Sequence, residues 1–174
     1  KCLQRGDWDA LRRDLNRYPI EGVNGDAGKE QILEKLAKYG ITQSATGETS
    51  VEIWGTGAPL REFLWSEDMA DACVFVMEHV DFKDTYPAGC KEIRNCHINI
   101  GTGKELTIRA LVDKIRTIVD YEGQTVWNAS KPDGTLRKLT DPSKLHALGW
   151  HHRVELDEGI RRLYDWYLNH KSDR

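Results

Sequence analysis

The sequence predicts an α/β fold, with a small sheet and packed helices. Segments with the pattern of strands alternate with segments whose apolar residues recur at helical spacing. The chain has 174 residues, 39% of them hydrophobic, which is enough for one core. No apolar run approaches the roughly eighteen residues of a membrane span. We therefore expect one domain, or one domain with an appendage, and no membrane partner.

The first 40 residues predict a helical appendage of two helices joined by a loop. Asp7 is placed to cap the first helix, and Pro19 with three following glycines makes the loop. Gly40 ends the second helix, and residues 42–49 are interpreted as a polar linker. The predicted apolar faces are Trp8, Leu11, Leu15 and Tyr18 in the first helix, and Ile32, Leu33, Leu36 and Tyr39 in the second.

Residues 51–65 predict a strand, a tight glycine-rich turn and a short strand before a helix. Glycine tolerates positive φ, so Gly55-Thr56-Gly57 can bring the backbone close to a ligand. Trp54 offers a flat apolar face, and Arg61 offers a planar fork of donors that matches two phosphate oxygens. This pairing suits a sugar nucleotide. The structural alternatives are a core Trp54 and an Arg61 paired with a neighbouring glutamate.

The segment after the central stretch predicts two helices separated by a loop and a short strand. Ser66 is the predicted cap of the first helix, 97–100 the strand, and Thr107 the start of the second helix. The predicted core faces are Met69, Cys73, Val76 and Val80 in the first helix, and Ile108, Leu111, Val112, Ile115, Ile118 and Val119 in the second.

The last third predicts a strand at 125–127, a short helix opened by Asp141-Pro142, and a final helix from about Leu156. Between strand and short helix, residues 130–138 form a charged loop around Pro-Asp-Gly, which we interpret as a second candidate ligand site. Asp133 has an alternative role as a turn residue bonded to its own backbone. The predicted buried face of the final helix is Leu156, Ile160, Leu163 and Tyr167.

The net charge, the cysteine spacing and the absence of several motifs narrow the classes of function that the sequence allows. The net charge is −3 and the pI about 6.1, so no surface-wide field favours nucleic acid. The four cysteines show no C-x-x-C spacing, which favours reduced cytosolic thiols and argues against zinc. A dinucleotide fingerprint, a P-loop, a zincin motif and Tyr-x-x-x-Lys are all missing. We therefore assign no catalytic, cofactor-binding or metal-binding residue, and we expect the chain alone to be inactive.

Several segments together resemble the C-terminal half of GDP-L-fucose synthases, in the extended short-chain dehydrogenase/reductase family. The Lys-Pro-Asp-Gly-Thr loop narrows the resemblance from the wider family to these enzymes. The resemblance runs from about Val51 to Leu168 and leaves residues 1–50 as a helical insertion and linker. The segments are 54–64 (WGTGAPLREFL), 68–70 (DMA), 97–103 (HINIGTG), 129–139 (ASKPDGTLRKL) and 148–150 (LGW).

The resemblance implies a substrate-binding domain at 51–174 and an NADP-binding Rossmann domain that this chain lacks. The parent enzyme would convert GDP-4-keto-6-deoxy-D-mannose to GDP-L-fucose by 3,5-epimerisation and NADPH-dependent 4-reduction. By similarity, Trp54 and Arg61 line the GDP-sugar site, Asp133 contacts substrate, and Lys138 lies near the diphosphate. The family also implies a cytoplasmic homodimer whose catalytic residues lie in the missing domain.

Two alternatives stay open at this stage. The chain could belong to another extended-family sugar-nucleotide epimerase or dehydratase, which competition by GDP against UDP and dTDP would separate. It could instead be a non-catalytic nucleotide-sugar binding module, complete as it stands. The sequence begins at Lys1 without an initiator methionine, which favours a piece of a longer protein.

Overall fold

The computed structural model describes residues 1–170 and divides the chain into two compact units. The first unit comprises Lys1–Gly57 and Asp120–Gly134, and the second comprises Ala58–Val119 and Thr135–Arg174, described to His170. Among the described residues, no helix is both long enough and apolar enough to cross a bilayer. The elements in chain order are α1 (Cys2–Arg5), α2 (Trp8–Arg17), α3 (Lys29–Lys38), β1 (Ile41–Gln43), β2 (Thr49–Trp54), β3 (Leu60–Arg61), α4 (Ser66–His79), a 3₁₀ turn (Phe82–Thr85), β4 (Leu106–Thr107), α5 (Ile108–Ile118), β5 (Gln124–Asn128), β6 (Arg137–Lys138), α6 (Ser143–Ala147) and α7 (Leu156–His170).

The helices of the first unit confirm the predicted pair α2 and α3. Asp7 caps α2, since its carboxylate accepts from the Ala10 amide at 2.9 Å. The apolar faces form a core in which Ile32 is fully buried, whereas Tyr18 and Tyr39 are 42% and 52% exposed. Both tyrosines therefore lie at the edge of their helices' buried faces. The buried members of this core are Leu3, Leu15, Val23, Ile32 and Leu36.

The sheet of the first unit has the order β1-β2-β5, antiparallel and then parallel. The predicted strand at 125–127 is confirmed as part of β5. The predicted polar linker at 42–49 is wrong, because β1 and β2 form a hairpin. The turn is closed by the amide of Ser44, which donates to the Glu48 carbonyl at 2.8 Å, and the Thr42 and Ser50 hydroxyls bond across the strands at 2.7 Å. Polar cross-strand pairs thus replace the apolar alternation that usually marks a strand.

The second unit contains the sheet β4-β3-β6, with β3 antiparallel to β4 and parallel to β6. The central stretch forms the predicted strand, turn, short strand and helix as β2, residues 55–59, β3 and α4. Ser66, however, is the first residue of α4, and Trp65 occupies the cap position. The predicted capping role of Ser66 is therefore wrong.

The buried face of α4 also differs from the prediction. Asp68 and Ala72 are buried, whereas Met69 is 40% exposed and Cys73 is exposed. Of the predicted face, Val76 packs against the core of this unit. The core's buried members are Ala72, Leu145 and Trp150.

Residues 97–100 form no strand and pair with no sheet, so the predicted strand is wrong. Ile98 and Ile100 pack against the core, while the carbonyls of this region are bound by a side chain. The Lys144 ammonium donates to the carbonyls of Asn95 and His97, the second at 2.9 Å. The Lys144 ammonium thus binds carbonyls of this region that no neighbouring strand binds.

The remaining helices begin close to where the sequence predicts. Thr107 caps α5, because its hydroxyl accepts from the Ala110 amide at 3.1 Å. The residues predicted to be buried on α5 are half-buried, except Ile115, which is 38% exposed. The cap of α6 is Pro142, one residue later than predicted. On α7, Leu163 and Tyr167 are 58% and 50% exposed, so their predicted burial is wrong.

The two compact units do not follow the predicted division into a helical segment 1–50 and a substrate-binding domain 51–174. β2 and residues 120–134 fold with the helices of the first unit. The predicted division concerns function and relationship, and it stays a prediction. Its residues 171–174 lie outside the described residues.

Candidate functional site

The glycine turn of the first unit is held by Asp133. One carboxylate oxygen of Asp133 accepts from the Thr56 amide at 2.9 Å, and the other accepts from the Thr56 hydroxyl at 2.6 Å. These two bonds, the hydroxyl's first, keep the pKa of Asp133 below its ordinary value. Asp133, the predicted ligand contact, thus also links its own loop to the glycine turn through hydrogen bonds. Each carboxylate oxygen retains a further lone pair for a ligand.

Gly55 and Gly57 are both required by this close approach. Their φ angles are +84° and +77°, in the left-handed region that side chains disfavour. A Cβ on Gly55 would lie 2.3 Å from a carboxylate oxygen of Asp133, and one on Gly57 would lie 2.5 Å from the Trp127 ring. The turn therefore has no space for any side chain at either glycine.

Trp54 ends β2 beside this turn and is 69% exposed, so it is not a core residue. The Lys131 ammonium lies over its ring, 5.1 Å from the ring centre. The ammonium is attracted to the electron-rich face of the indole, so this exposed ring has a positive charge beside it. Trp54, Lys131 and Asp133 thus lie around one exposed turn of the first unit.

We expect Gly57→Ala to lower the free energy of unfolding by about 2–3 kcal/mol, since it combines backbone strain with a clash against Trp127. Urea unfolding would measure the change. Gly47→Ala is the matched control, because Gly47 has φ +87° but no atom within 4 Å of its added Cβ. The control variant should lower the free energy of unfolding by only about 1 kcal/mol, because it adds backbone strain alone. Equal losses in the two variants would contradict the predicted clash.

Arg61 and Lys138 are brought together in the second unit. They are Cα partners in the parallel pair β3 and β6. Arg61 is half-buried and donates from Nη1 to the Leu60 carbonyl at 2.6 Å, whereas Lys138 is exposed. Within residues 1–170, neither side chain forms an ion pair with a carboxylate. Two adjacent cations without a carboxylate partner are the arrangement expected of an anion site.

The neighbouring acidic residues have other partners, which rules out the structural alternative for Arg61. Glu62 accepts from the amides of Thr102 and Gly103 at 2.5 and 2.6 Å, and from the Thr140 amide at 3.0 Å. Glu67 accepts from the indole N–H of Trp65 at 3.1 Å. Burial raises the pKa of Glu62, but these hydrogen bonds outweigh it, so the net shift is downward.

The four residues predicted to bind substrate therefore fall into two pairs. Trp54 and Asp133 lie in the first unit, and Arg61 and Lys138 lie in the second. Sequence reasoning missed Thr56, Glu62 and Lys131. All three lie within the segments 54–64 and 129–139. Only the fold shows that Thr56 contacts Asp133 and that Lys131 contacts Trp54.

Within residues 1–170, no group of three His, Cys, Asp or Glu side chains could hold a metal ion. The parallel pair β2 and β5 is not followed by a glycine-rich turn into a helix, which a dinucleotide diphosphate requires. We assign no residue of this chain to a nicotinamide cofactor.

Comparison with known proteins shows what this chain is similar to. The model of the NAD dependent epimerase/dehydratase family matches residues 19–101. GDP-L-fucose synthase 1 of Arabidopsis thaliana is 39% identical over 172 residues, which cover 99% of this chain and 49% of that protein. GDP-L-fucose synthase of Escherichia coli K12 is 44% identical over 152 residues, covering 86% and 46%. The chain thus spans about half the length of the curated relatives it matches.

A solved structure supports the same relationship. GDP-mannoheptose C4 reductase from Campylobacter jejuni, with NADP bound, has a TM-score of 0.75 and 37% identity, covering 97% of this chain and 43% of that one. The relationship therefore extends further along the chain than the motifs between Val51 and Leu168. The resemblance to GDP-L-fucose synthases is confirmed, and the model of the NAD dependent epimerase/dehydratase family matches nearly half of the chain.

Proposed function

We propose that this chain is the substrate-binding half of an enzyme that converts GDP-4-keto-6-deoxy-D-mannose to GDP-L-fucose. The observation that carries the proposal is the pair Arg61 and Lys138, adjacent cations on neighbouring strands without a carboxylate partner among residues 1–170. The diphosphate of a GDP-sugar carries the negative charge that such a pair would neutralise. The names of the relatives supply the nucleotide and the sugar.

In the first unit, taken by itself, Trp54 and Asp133 are proposed as contacts for part of a GDP-sugar. Trp54 offers an exposed ring face for a flat or apolar group. Asp133, still held by Thr56, would accept from a hydroxyl or amino donor of sugar, ribose or guanine through its free lone pairs. Binding energy from the nucleotide would place the keto sugar for reaction.

The chemical steps would depend on residues outside this chain. A bound NADPH would supply the hydride that reduces C4, and the solved relative contains NADP. This chain's residues would bind and orient the GDP-sugar. We expect the chain alone to show no turnover. A cytoplasmic homodimer remains part of the proposal, and the unpaired state of Cys2, Cys73, Cys90 and Cys96 supports a reducing compartment.

Competition between nucleotides tests the proposal. We expect GDP to bind the complete protein at least tenfold more tightly than UDP or dTDP in isothermal titration calorimetry at fixed salt. Tighter binding of UDP or dTDP would favour another sugar-nucleotide enzyme of the family, and no binding of any of the three would overturn the proposal. Titration of the isolated chain with GDP tests the binding-module alternative. That alternative requires the isolated chain to bind GDP as tightly as the complete protein does.

A second candidate substrate is another GDP-linked 4-keto sugar. The similarity to a GDP-mannoheptose reductase, at 37% identity over nearly the whole chain, favours it. NADPH oxidation measured with GDP-4-keto-6-deoxy-D-mannose and with a GDP-4-keto-heptose would distinguish the two. We expect faster turnover with the former.

A further inference from the structure

We propose that Glu62 is a positioning residue that holds Arg61 and Lys138 in the geometry needed for a diphosphate. This inference rests on the proposed function. Glu62 directly follows Arg61 at the end of β3, the middle strand of the sheet β4-β3-β6. Its carboxylate binds the segment before β4 and the segment after β6.

The hydrogen bonds of Glu62 connect all three strands. Oε1 accepts from the amide of Thr102 at 2.5 Å, from its hydroxyl at 3.0 Å and from the Gly103 amide at 2.6 Å. Oε2 accepts from the Thr140 amide at 3.0 Å. Thr102 and Gly103 precede β4, and Thr140 lies two residues after Lys138. A single carboxylate thereby replaces the backbone pairing that these two-residue strands are too short to provide.

Close packing fixes the carboxylate in this position. A Cβ added to Gly101 would lie 2.7 Å from Oε1 of Glu62 and 3.0 Å from Cβ of Thr140. Only glycine leaves room for the carboxylate at this point. The glycine turn at 101–103 thus binds a carboxylate of its own chain.

The same bonds keep Glu62 from neutralising the proposed anion site. Glu62 is the carboxylate adjacent to Arg61 in sequence, and an ion pair between them would cancel charge that a diphosphate requires. Its four hydrogen bonds are all to groups other than Arg61. Glu62 therefore orders the two strands that carry the cations and leaves both cations available.

The test measures GDP binding to the complete protein that carries Glu62→Gln. The glutamine amide has one acceptor oxygen in place of two, and its NH2 group would face a backbone N–H, donor against donor. We expect GDP to bind about tenfold more weakly at a temperature where circular dichroism shows a folded protein. Glu158→Gln is the control, because Glu158 lies on α7 and pairs with Arg162. It should bind GDP as the unmodified protein does.

A mutant cycle in the background Arg61→Ala with Lys138→Ala shows whether Glu62 acts through the two cations. We expect Glu62→Gln to weaken GDP binding less than threefold in that background. An undiminished tenfold loss there, or unchanged affinity of folded Glu62→Gln in the native background, would overturn the positioning role. Failure of the unmodified protein to bind GDP would instead overturn the proposed function, so the two failures are distinguishable.

Discussion

Replacing both cations, Arg61→Ala with Lys138→Ala, is expected to weaken GDP binding to the complete protein about 100-fold. A hydrogen bond to a charged group contributes about 1.5–3 kcal/mol, and each 1.4 kcal/mol is tenfold in affinity. Each single variant should therefore lose about tenfold. Neither cation has a carboxylate partner among residues 1–170, so truncation leaves no unpaired acidic group to complicate the result.

Calorimetric titration with GDP at constant ionic strength would measure these losses. Arg161→Ala is the control, because Arg161 is exposed on α7 of the same unit. Its GDP affinity should not change. A loss below twofold in the double variant would eliminate Arg61 and Lys138 as the diphosphate site. The affinity of the unmodified protein should also fall more steeply with added salt than that of the double variant, because counter-ions screen exposed charges.

Local chemistry made part of this arrangement predictable from the sequence. The Asp7 cap and the start of α5 at Thr107 depend on groups only a few residues apart, and glycine at positions 55 and 57 suits the positive φ of the turn. These features follow from residue type and short spacing, and the structure contains each of them. The role of Arg61, inferred from the donor geometry of its guanidinium, stays a prediction.

Other features depended on contacts between distant segments. The β1 and β2 hairpin pairs Thr42 with Ser50 and Gln43 with Thr49, so no alternation of apolar residues indicated β1. The role of Glu62 needed residues 40 and 78 positions away. No pattern within the segment around Glu62 could select those partners. Asp133 was predicted as a ligand contact, and only the fold shows that it is already bound to Thr56.

Helix α4 shows why apolar spacing can select the wrong face. Its sequence places apolar residues on every side, so spacing alone could not distinguish Met69 and Cys73 from the buried Ala72. Asp68 lies in the first turn of α4, where the helix dipole alone favours a carboxylate. Its buried carboxylate accepts hydrogen bonds from the backbone of a segment 85 residues later in the chain.

Asp68→Ala is accordingly expected to be the most destabilising of these variants, lowering the free energy of unfolding by about 3 kcal/mol. Asp68 is 5% exposed, and its Oδ2 accepts from the amides of Arg153 and Val154 at 3.1 and 2.9 Å. Alanine would leave two N–H donors without an acceptor, each costing about 1–3 kcal/mol. At about 2–4 °C per kcal/mol, thermal unfolding should occur about 6–12 °C lower.

Asp71→Ala is the matched control, one turn along the same helix face. The Asp71 side chain is 41% exposed and accepts from the Trp150 indole at 2.8 Å, so its loss should cost only about 1 kcal/mol. Asp68→Asn should recover part of the stability, because its amide oxygen can still accept. Equal losses for Asp68→Ala and Asp71→Ala would contradict the buried role of Asp68. Since Asp68 holds α4 and not the cations of β3 and β6, folded Asp68→Ala should bind GDP with unchanged affinity, which separates stability from ligand recognition within the same unit.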